Sequence, residues 1–203
     1  MASMRDMPAT TDAPAYADRL RRLEGARWKR LLDVQAPYRR NVRRLAPGRT
    51  LDVGCGLGRN LAHLGGNGIG VDHNAAAVAE CRRRGLVAYT TAELAGAPEA
   101  QLGGFDHLLF AHVLEHLVPS AARDLMATYL PYLGPDGTVI MITPQEAGQR
   151  SDPTHLTFFD FAAVRRLVEA VGLRVVEQRS FPFPRRAGRV FRHNEFVTVA
   201  RRA

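Results

Sequence analysis

Short apolar segments alternate with helix-forming segments through most of this chain. The apolar segments lie at 51–53, 68–72, 86–91, 105–113, 137–144, 173–181 and 195–202. Strands that alternate with helices form a parallel sheet with helices on both faces. The last two segments follow one another without a helix between them, which predicts an antiparallel edge. The sequence therefore predicts an α/β fold with a doubly wound, mostly parallel, seven-stranded sheet.

Four segments between the strands have the periodicity of helices. They are 59–66 with Gly65 and Gly66 at its end, 75–85, 120–133 and 160–172. Ser120 is the expected N-cap of the third helix and Gly134-Pro135 its stop, while the fourth begins near Asp160. Helices thus fill most of the crossovers that a parallel sheet requires.

The N-terminal part of the chain differs from this pattern. Residues 13–45 have helical periodicity, which Pro37 divides into two helices. Residues 1–12 are small, polar and proline-containing, which is typical of a disordered tail. With no internal linker, we expect residues 13–203 to form one domain, in which 13–46 are an N-terminal helical cap.

Composition excludes several classes of protein. No run of 18 apolar residues is present, and the N-terminus lacks the apolar segment of a signal peptide, so we expect no membrane association and a cytoplasmic location. Two cysteines make no disulfide framework. The net charge of +8 comes from arginines spread along the chain, so nucleic-acid binding is an alternative but is not favoured.

The stretch LDVGCGLGRNL, at 51–61, places Gly54, Gly56 and Gly58 on alternate positions after a strand. Glycines allow either a tight turn or close approach of the backbone to a ligand, and both interpretations are open at this point. Asp72 ends the next strand 18 positions after Gly54, where an acid can accept the hydroxyls of a ribose. The spacing is neither G-x-G-x-x-G nor a P-loop, so it favours a ribose-bearing ligand without a phosphate to hold.

These segments resemble the successive motifs of class I S-adenosylmethionine-dependent methyltransferases. The resemblance rests on LDVGCGLGRNL, GVD, TAEL, FDHLLFAHVLEHL and GTVIMITP, and covers about residues 48–175. It implies that the chain is an enzyme and that the three glycines face S-adenosylmethionine. It further implies contacts from Asp52 near the methionine amino group, Asp72 at the ribose, His73, Ala92, Glu93 and Leu94 around the adenine, and Ala111 and His112 on the sulfonium side.

Histidines and an acid gather in two segments at the expected reaction end of the sheet. AHVLEHL contains His112, Glu115 and His116, which share one face if a helix begins there, and His155 lies in the loop after the fifth strand. Three interpretations are open: packing and capping, a histidine general base, or a site for Mg²⁺ or another divalent cation. The segment is similar to the Glu-x-x-Glu-His metal site of small-RNA 2′-O-methyltransferases and to a Glu-rich segment of ubiquinone-pathway O-methyltransferases, but His112 replaces the first glutamate.

Imidazoles and a carboxylate at the reaction end favour an oxygen acceptor, because an alcohol must lose its proton whereas an amine needs only its neutral form. The sequence therefore predicts methyl transfer to a hydroxyl of a small molecule, a sugar or a secondary metabolite, with His155, His116 and Glu115 as catalytic residues. The polar segment 145–160 is expected to line the acceptor pocket. The alternatives are an RNA methyltransferase that uses the basic surface and a non-catalytic cofactor-binding domain. The oligomeric state is not predicted.

Overall fold

A computed structural model describes residues 35–203. The expected tail at 1–12 and most of the expected helical cap lie outside the described residues. The second of the two helices expected around Pro37 is present, because helix α1 begins at Ala36 with Pro37 in its first turn, where a missing N–H costs nothing.

Seven strands form one sheet in the order β3-β2-β1-β4-β5-β7-β6. The strands are β1 Thr50–Val53, β2 Gly68–Asp72, β3 Ala88–Thr90, β4 Phe105–Ala111, β5 Leu133–Pro144, β6 Leu173–Phe181 and β7 Glu195–Arg202. Strands β1 to β5 pair in parallel, whereas β7 runs antiparallel to both β5 and β6. This confirms the predicted fold and the predicted antiparallel edge.

Helix α1 precedes β1, and the other helices of residues 35–203 lie between the strands. They are α1 Ala36–Leu45, α2 Arg59–Leu64, α3 Ala75–Arg83, α4 Thr91–Leu94, α5 Pro119–Tyr129, α6 Glu146–Gln149 and α7 Phe161–Ala170, with 3-10 turns at Leu114–His116, Leu130–Tyr132 and Arg185–Arg189. Helix α7 begins as expected, since the Asp160 side chain accepts the Ala163 N–H at 2.8 Å. No helix within 35–203 is long and apolar enough to cross a membrane.

Alternating side chains of the central strands bury two separate apolar layers. In β4, Leu108 and Phe110 pack with residues of α5 and α7, while Leu109 and Ala111 pack with residues of α1, α2 and α3. Each face of a fully buried sheet needs such a cover, because its strands are apolar on both sides. The layers leave the carboxyl ends of β1, β2, β4 and β5 at one edge, where the loops carry the candidate site.

Three local expectations are wrong. Helix α5 begins at Pro119 after Val118, so Ser120 is inside its first turn and makes no cap. With proline at the first helical position, the N-cap falls two residues earlier than expected. Gly134 and Pro135 lie within β5, where its pairing with β4 shifts register, and do not end a helix. The segment after β4 forms only a 3-10 turn rather than a helix, so residues 112, 115 and 116 do not share a helical face.

Candidate functional site

The three glycines after β1 all have positive φ, but their surroundings differ. A Cβ at Gly54 would lie 2.6 Å from Val113 Cγ2, and one at Gly58 would lie 2.5 Å from Leu86 Cδ1, so both positions are required by packing. A Cβ at Gly56 would have nothing within 4 Å. The middle glycine therefore leaves its space open at the end of β1, where a ligand can approach the backbone.

Asp72 lies at the carboxyl end of β2 and is oriented by the glycine turn. Its Oδ2 accepts the Gly56 N–H at 2.8 Å, and its Oδ1 accepts the Asn74 N–H at 2.8 Å. Each carboxylate oxygen has a second lone pair, so these bonds fix the side chain without exhausting its acceptors. The neighbouring His73 is half exposed, with its Nδ1 3.4 Å from Asp72 Oδ1. The structure thus brings together the turn and the acid that the sequence singled out.

Asp52 is a buried carboxylate in the middle of the sheet. Both of its oxygens lack a hydrogen-bond partner among the described residues. Burial raises its pKa to about 7, against the lowering effect of the Arg59 guanidinium. A buried acid without donors is costly, so this position can accept a donor or a cation from a ligand.

His112 connects the end of β4 to β7. It has a left-handed backbone, with φ 59°. Its Nδ1 donates to Glu115 Oε1 at 3.2 Å and its Nε2 to Glu195 Oε1 at 2.9 Å. Burial lowers the pKa of His112, but the two carboxylates outweigh burial and raise it to about 9. Both ring nitrogens of His112 thus contact carboxylates.

Glu115 is fully buried in the 3-10 turn after β4. Its Oε1 accepts from His112, whereas its Oε2 has no hydrogen-bond partner among the described residues. Burial raises the pKa of this carboxyl, but the neighbouring imidazolium of His112 dominates and lowers it overall. The Glu115 main-chain oxygen accepts the N–H groups of Leu156 and Thr157 at 2.8 and 3.1 Å. These bonds hold the loop after β5 against the turn.

His116 and His155 meet as a result of this docking. Their ring centroids are 4.9 Å apart with an interplanar angle of 67°. His116 Nδ1 lies 3.1 Å from the carbonyl oxygen of Thr154, and His155 Nδ1 lies 3.2 Å from that of Gln149. A carbonyl can only accept, so His155 carries its proton on Nδ1 and presents an unprotonated Nε2. Burial lowers the pKa of His155, which favours the neutral ring.

Glu115, His116 and His155 together form what we call the histidine cluster. Each offers one ligand atom, and these atoms all lie within 4.8 Å of one another. One carboxylate oxygen and two imidazole nitrogens can bind Mn²⁺, Fe²⁺, Zn²⁺ or Mg²⁺. Such a set does not select one cation, whereas a set of thiolates would select zinc. The same three groups can also act as a histidine base with an orienting acid.

The residues expected around the adenine also make local structural contacts. Glu93 forms a capping box with Thr90 at the start of α4 and pairs with Arg82 at 2.8 Å. The backbone and side-chain bonds to Thr90, together with Arg82, lower its pKa to about 2. Leu94 is buried in the core, and Ala92 is exposed. Ala111 is buried at the end of β4.

Glu195 was missed from the sequence. Glu195 contacts a histidine 83 positions away, and a lone acid at the start of a strand carries no signal of such a contact. Tyr38 in α1 donates its hydroxyl to the His193 carbonyl at 2.9 Å. Both residues line a small cleft with Arg59, Ala111 and His112. A larger cavity of about 490 Å³ lies between α5 and α7, away from these strand ends.

Comparison with known proteins identifies the family. A family model described as a methyltransferase domain matches residues 21–178, which is more than half of the chain. The chain belongs to this family, and the expected enzyme class, an S-adenosylmethionine-dependent methyltransferase, is confirmed. No curated protein matches this chain.

Solved structures of methyltransferases share the fold. An S-adenosylmethionine-dependent methyltransferase from Archaeoglobus fulgidus is 20% identical, with 91% of this chain and 98% of that chain covered and a TM-score of 0.67. A second structure is the 1,6-didemethyltoxoflavin-N1-methyltransferase of Burkholderia thailandensis with bound 1,6-didemethyltoxoflavin and S-adenosylhomocysteine. It is 21% identical, with 97% of this chain and 93% of that chain covered and a TM-score of 0.59. A third is the magnesium protoporphyrin IX methyltransferase of Synechocystis PCC 6803 with bound S-adenosylhomocysteine. It is 18% identical, with 95% of this chain and 96% of that chain covered and a TM-score of 0.61.

Proposed function

We propose that this enzyme transfers a methyl group from S-adenosylmethionine to a hydroxyl oxygen of a small molecule, a sugar or a secondary metabolite. The observation that carries the proposal is the position of the histidine cluster at the same end of the sheet as the glycine turn and Asp72. A donor held at the turn would have its reactive end toward the cluster. One structural neighbour is named for methylation of a nitrogen, so the choice of oxygen rests on this chain's own residues.

The glycine turn and its surroundings fit the cofactor. Open space at Gly56 admits a ligand against the backbone, and the oriented carboxylate of Asp72 would accept two ribose hydroxyls. The orphaned oxygens of Asp52 would receive the cofactor's amino group, directly or through water. Gly54, Gly58, His73, Ala92, Glu93, Leu94, Ala111 and His112 are assigned to this site by resemblance. Structural neighbours with S-adenosylhomocysteine support the cofactor.

The histidine cluster would activate the acceptor. When bound, S-adenosylmethionine supplies an electrophilic methyl group, which the acceptor oxygen takes by in-line displacement. His155 holds its proton on Nδ1 against Gln149, so its Nε2 can take the proton of the acceptor hydroxyl. Glu115 and His116 would orient that base and stabilise the charge it gains. His112 would keep the Glu115 carboxylate in place through its Oε1.

A divalent cation is a second way for the same cluster to act. The residues fit such an ion, because Glu115 Oε2 is buried without a hydrogen-bond partner among the described residues and lies with two imidazoles. Glu115, His116 and His155 would hold it, and His112 would support Glu115 rather than ligate. A bound cation would make the acceptor hydroxyl more acidic.

The acceptor atom can be tested with matched compounds. The full chain is incubated with methyl-labelled S-adenosylmethionine and with pairs of acceptors that differ only in a hydroxyl or an amine. We expect label in a methyl ether of the hydroxyl compound. Label found only in the amine compounds would contradict the proposed acceptor while leaving the enzyme class unchanged.

The same assay separates a base from a cation. Activity that is lost with a chelator and restored by Mg²⁺ or Mn²⁺ would support the cation, whereas insensitivity to the chelator would support the histidine base. In either case His155→Ala should reduce turnover, and unchanged turnover would remove the histidine cluster from the reaction.

A further inference from the structure

The loop between β6 and β7, residues 182–194, is basic and rigidly supported. It contains four arginines and no acidic residue. Its last residue, Asn194, is fully buried and donates to Ser180 Oγ at 2.9 Å and to Gln145 Oε1 at 3.1 Å. Gln145 is also fully buried and donates to the Glu195 carbonyl at 2.9 Å. Two buried amides thus hold the loop against the end of β5, so its surface is preorganised.

One arginine of the loop has a structural role. Arg185 forms a two-pronged ion pair with Glu146, with an Nη1 to Oε2 distance of 2.8 Å, and its guanidinium lies 4.7 Å from the centre of the Phe196 ring. This pair fixes the loop to helix α6. It leaves Arg185 neutralised.

The other three arginines of the loop are exposed. Arg186, Arg189 and Arg192 make no ion pair within residues 35–203. Arg150, at the end of α6, donates to the Arg189 carbonyl at 3.0 Å and adds a fourth guanidinium. We call Arg150, Arg186, Arg189 and Arg192 the arginine cluster. Glu146 on α6 is already paired with Arg185 and also interacts electrostatically with Arg189, so the surface keeps a net positive charge. A net positive charge on a rigid surface favours an anionic ligand.

The arginine cluster adjoins the histidine cluster through Arg150, and the loop ends beside His112. Arg150 follows Gln149, whose carbonyl lies 3.2 Å from His155 Nδ1. At the other end of the loop, Glu195 accepts from His112. A ligand on the arginine cluster could therefore extend into the reaction site.

Aromatic rings lie on the same loop. Phe183 and Phe191 are 51% and 36% exposed, and their ring centroids are 5.4 Å apart in an edge-to-face arrangement. The rings of Phe191 and His193 are also close, at 5.6 Å. Exposed rings beside guanidinium groups suit a planar base joined to phosphates, because the rings stack and the guanidinium groups bind phosphate oxygens in pairs.

We infer that the arginine cluster and the Phe183–Phe191 pair bind the nucleoside diphosphate part of the acceptor, so that the acceptor is a nucleotide-linked small molecule. This inference rests on the proposed function, which leaves the acceptor hydroxyl at the histidine cluster. A small nucleotide is favoured over nucleic acid, because the guanidinium groups concentrate on one short loop and α6 beside the site, whereas specific nucleic-acid interfaces bury roughly 1,000 Å² or more.

The test measures binding of UDP, inorganic pyrophosphate and uridine to the full chain by calorimetry, with and without S-adenosylhomocysteine. The triple variant Arg186→Gln, Arg189→Gln, Arg192→Gln removes three charges from the arginine cluster. The control variant Arg166→Gln, Arg174→Gln, Arg201→Gln removes three exposed charges, two of them from the opposite end of the β6–β7 pair.

We expect UDP to bind more tightly than either pyrophosphate or uridine, since it engages both the guanidinium groups and the rings. The triple variant should bind UDP at least about 30-fold more weakly, and the control variant should bind it as the parent does. Affinity for S-adenosylhomocysteine should stay within about twofold in both variants.

Two outcomes would overturn the inference: no UDP binding by the parent, or equal loss in the triple and control variants. Binding of a single-stranded RNA oligonucleotide without binding of UDP would also overturn it and would assign the basic loop to nucleic acid. Failure of the parent to bind S-adenosylhomocysteine would contradict the proposed function instead. The titration with UDP in the absence of S-adenosylhomocysteine would still test this inference.

Discussion

The two sides of the candidate site differ in how far apart their residues are in sequence. The glycine-turn side, residues 50–74, joins Gly56 to Asp72 across 16 positions and Asp72 to Asn74 across 2. The histidine-cluster side joins His116 to Thr154 across 38 positions and His112 to Glu195 across 83. One strand–turn–helix unit therefore builds the first side, whereas the second exists only once β4, β5 and β7 are paired.

This difference in sequence separation has a consequence for function. A local unit can keep one ligand site through many changes elsewhere, while a site assembled from several loops can vary with the acceptor. We accordingly assign the common methyl donor to the glycine turn and the acceptor to the histidine cluster. Substitutions on one side should change donor binding, and those on the other should change turnover.

The largest expected effect is on the glycine-turn side. Gly56→Val should abolish cofactor binding, by about 100-fold or more, because a side chain would occupy the open space against the backbone. Gly85→Val is the matched control, since Gly85 also has positive φ and an open Cβ position but lies just after the end of α3. Calorimetry of both variants would measure the effect. Equal binding by the two variants would mean that Gly56 serves the turn alone.

On the histidine-cluster side, we expect a large loss of turnover with little change in donor affinity. His116→Ala and Glu115→Gln should each lower turnover by about 100-fold or more, the scale of lost acid–base assistance. His107→Asn, toward the opposite end of β4, is the control and should retain activity. Turnover at the parent rate in both cluster variants would show that the cluster only packs.

We expect the free energy of unfolding of the cofactor-free protein to depend on pH because of Asp52. Burial raises its pKa from the ordinary 3.8 to about 7, so between these values the folded state holds a proton that the unfolded chain releases. The free energy of unfolding therefore falls as pH rises through this window, by on the order of 4 kcal/mol in total. Asp52→Asn should remove that dependence.

Urea denaturation of the parent and of the Asp52→Asn variant at pH 5 and pH 8 measures this pH dependence of the free energy of unfolding. His112 also loses stabilisation as pH rises, through the range up to its pKa of about 9, but it does so in both proteins and cancels in the difference. Parallel pH profiles would mean that Asp52 is ionised throughout.

The smallest effect is expected at Asp72. Asp72→Asn keeps the shape of the side chain but removes its charge, and it should weaken donor binding by roughly 1.5–3 kcal/mol, the scale of hydrogen bonds to a charged group. Turnover at saturating donor should change much less. Unchanged affinity by calorimetry would remove Asp72 from the donor site.

The sequence predicts the first side well and the second side only in part. Apolar segments at β1 and β2, with the glycines between them, are local features, so the turn and Asp72 follow from them. The convergence of His155 with Glu115 followed from the rule that loops after parallel strands share one edge. The role of His112 did not follow, because it depends on Glu195 and on a left-handed backbone at a residue other than glycine.

Errors in the fold have the same origin. The start of α5 depends on Val118 as the N-cap and Pro119 at the first helical position, which a cap preference for serine does not decide. Gly134 and Pro135 suggested a helix stop, but pairing with β4 extends β5 through them. Tertiary pairing thus overrides local signals where the two disagree.

A crystal structure of the full chain with S-adenosylhomocysteine would test the division of the site most directly. We expect the ribose hydroxyls within hydrogen-bond distance of the Asp72 carboxylate, the backbone of Gly56 against the ligand, and the sulfur directed toward Glu115, His116 and His155. A ligand bound elsewhere, or one whose sulfur points away from these three residues, would contradict the assignment of donor and acceptor to the two sides.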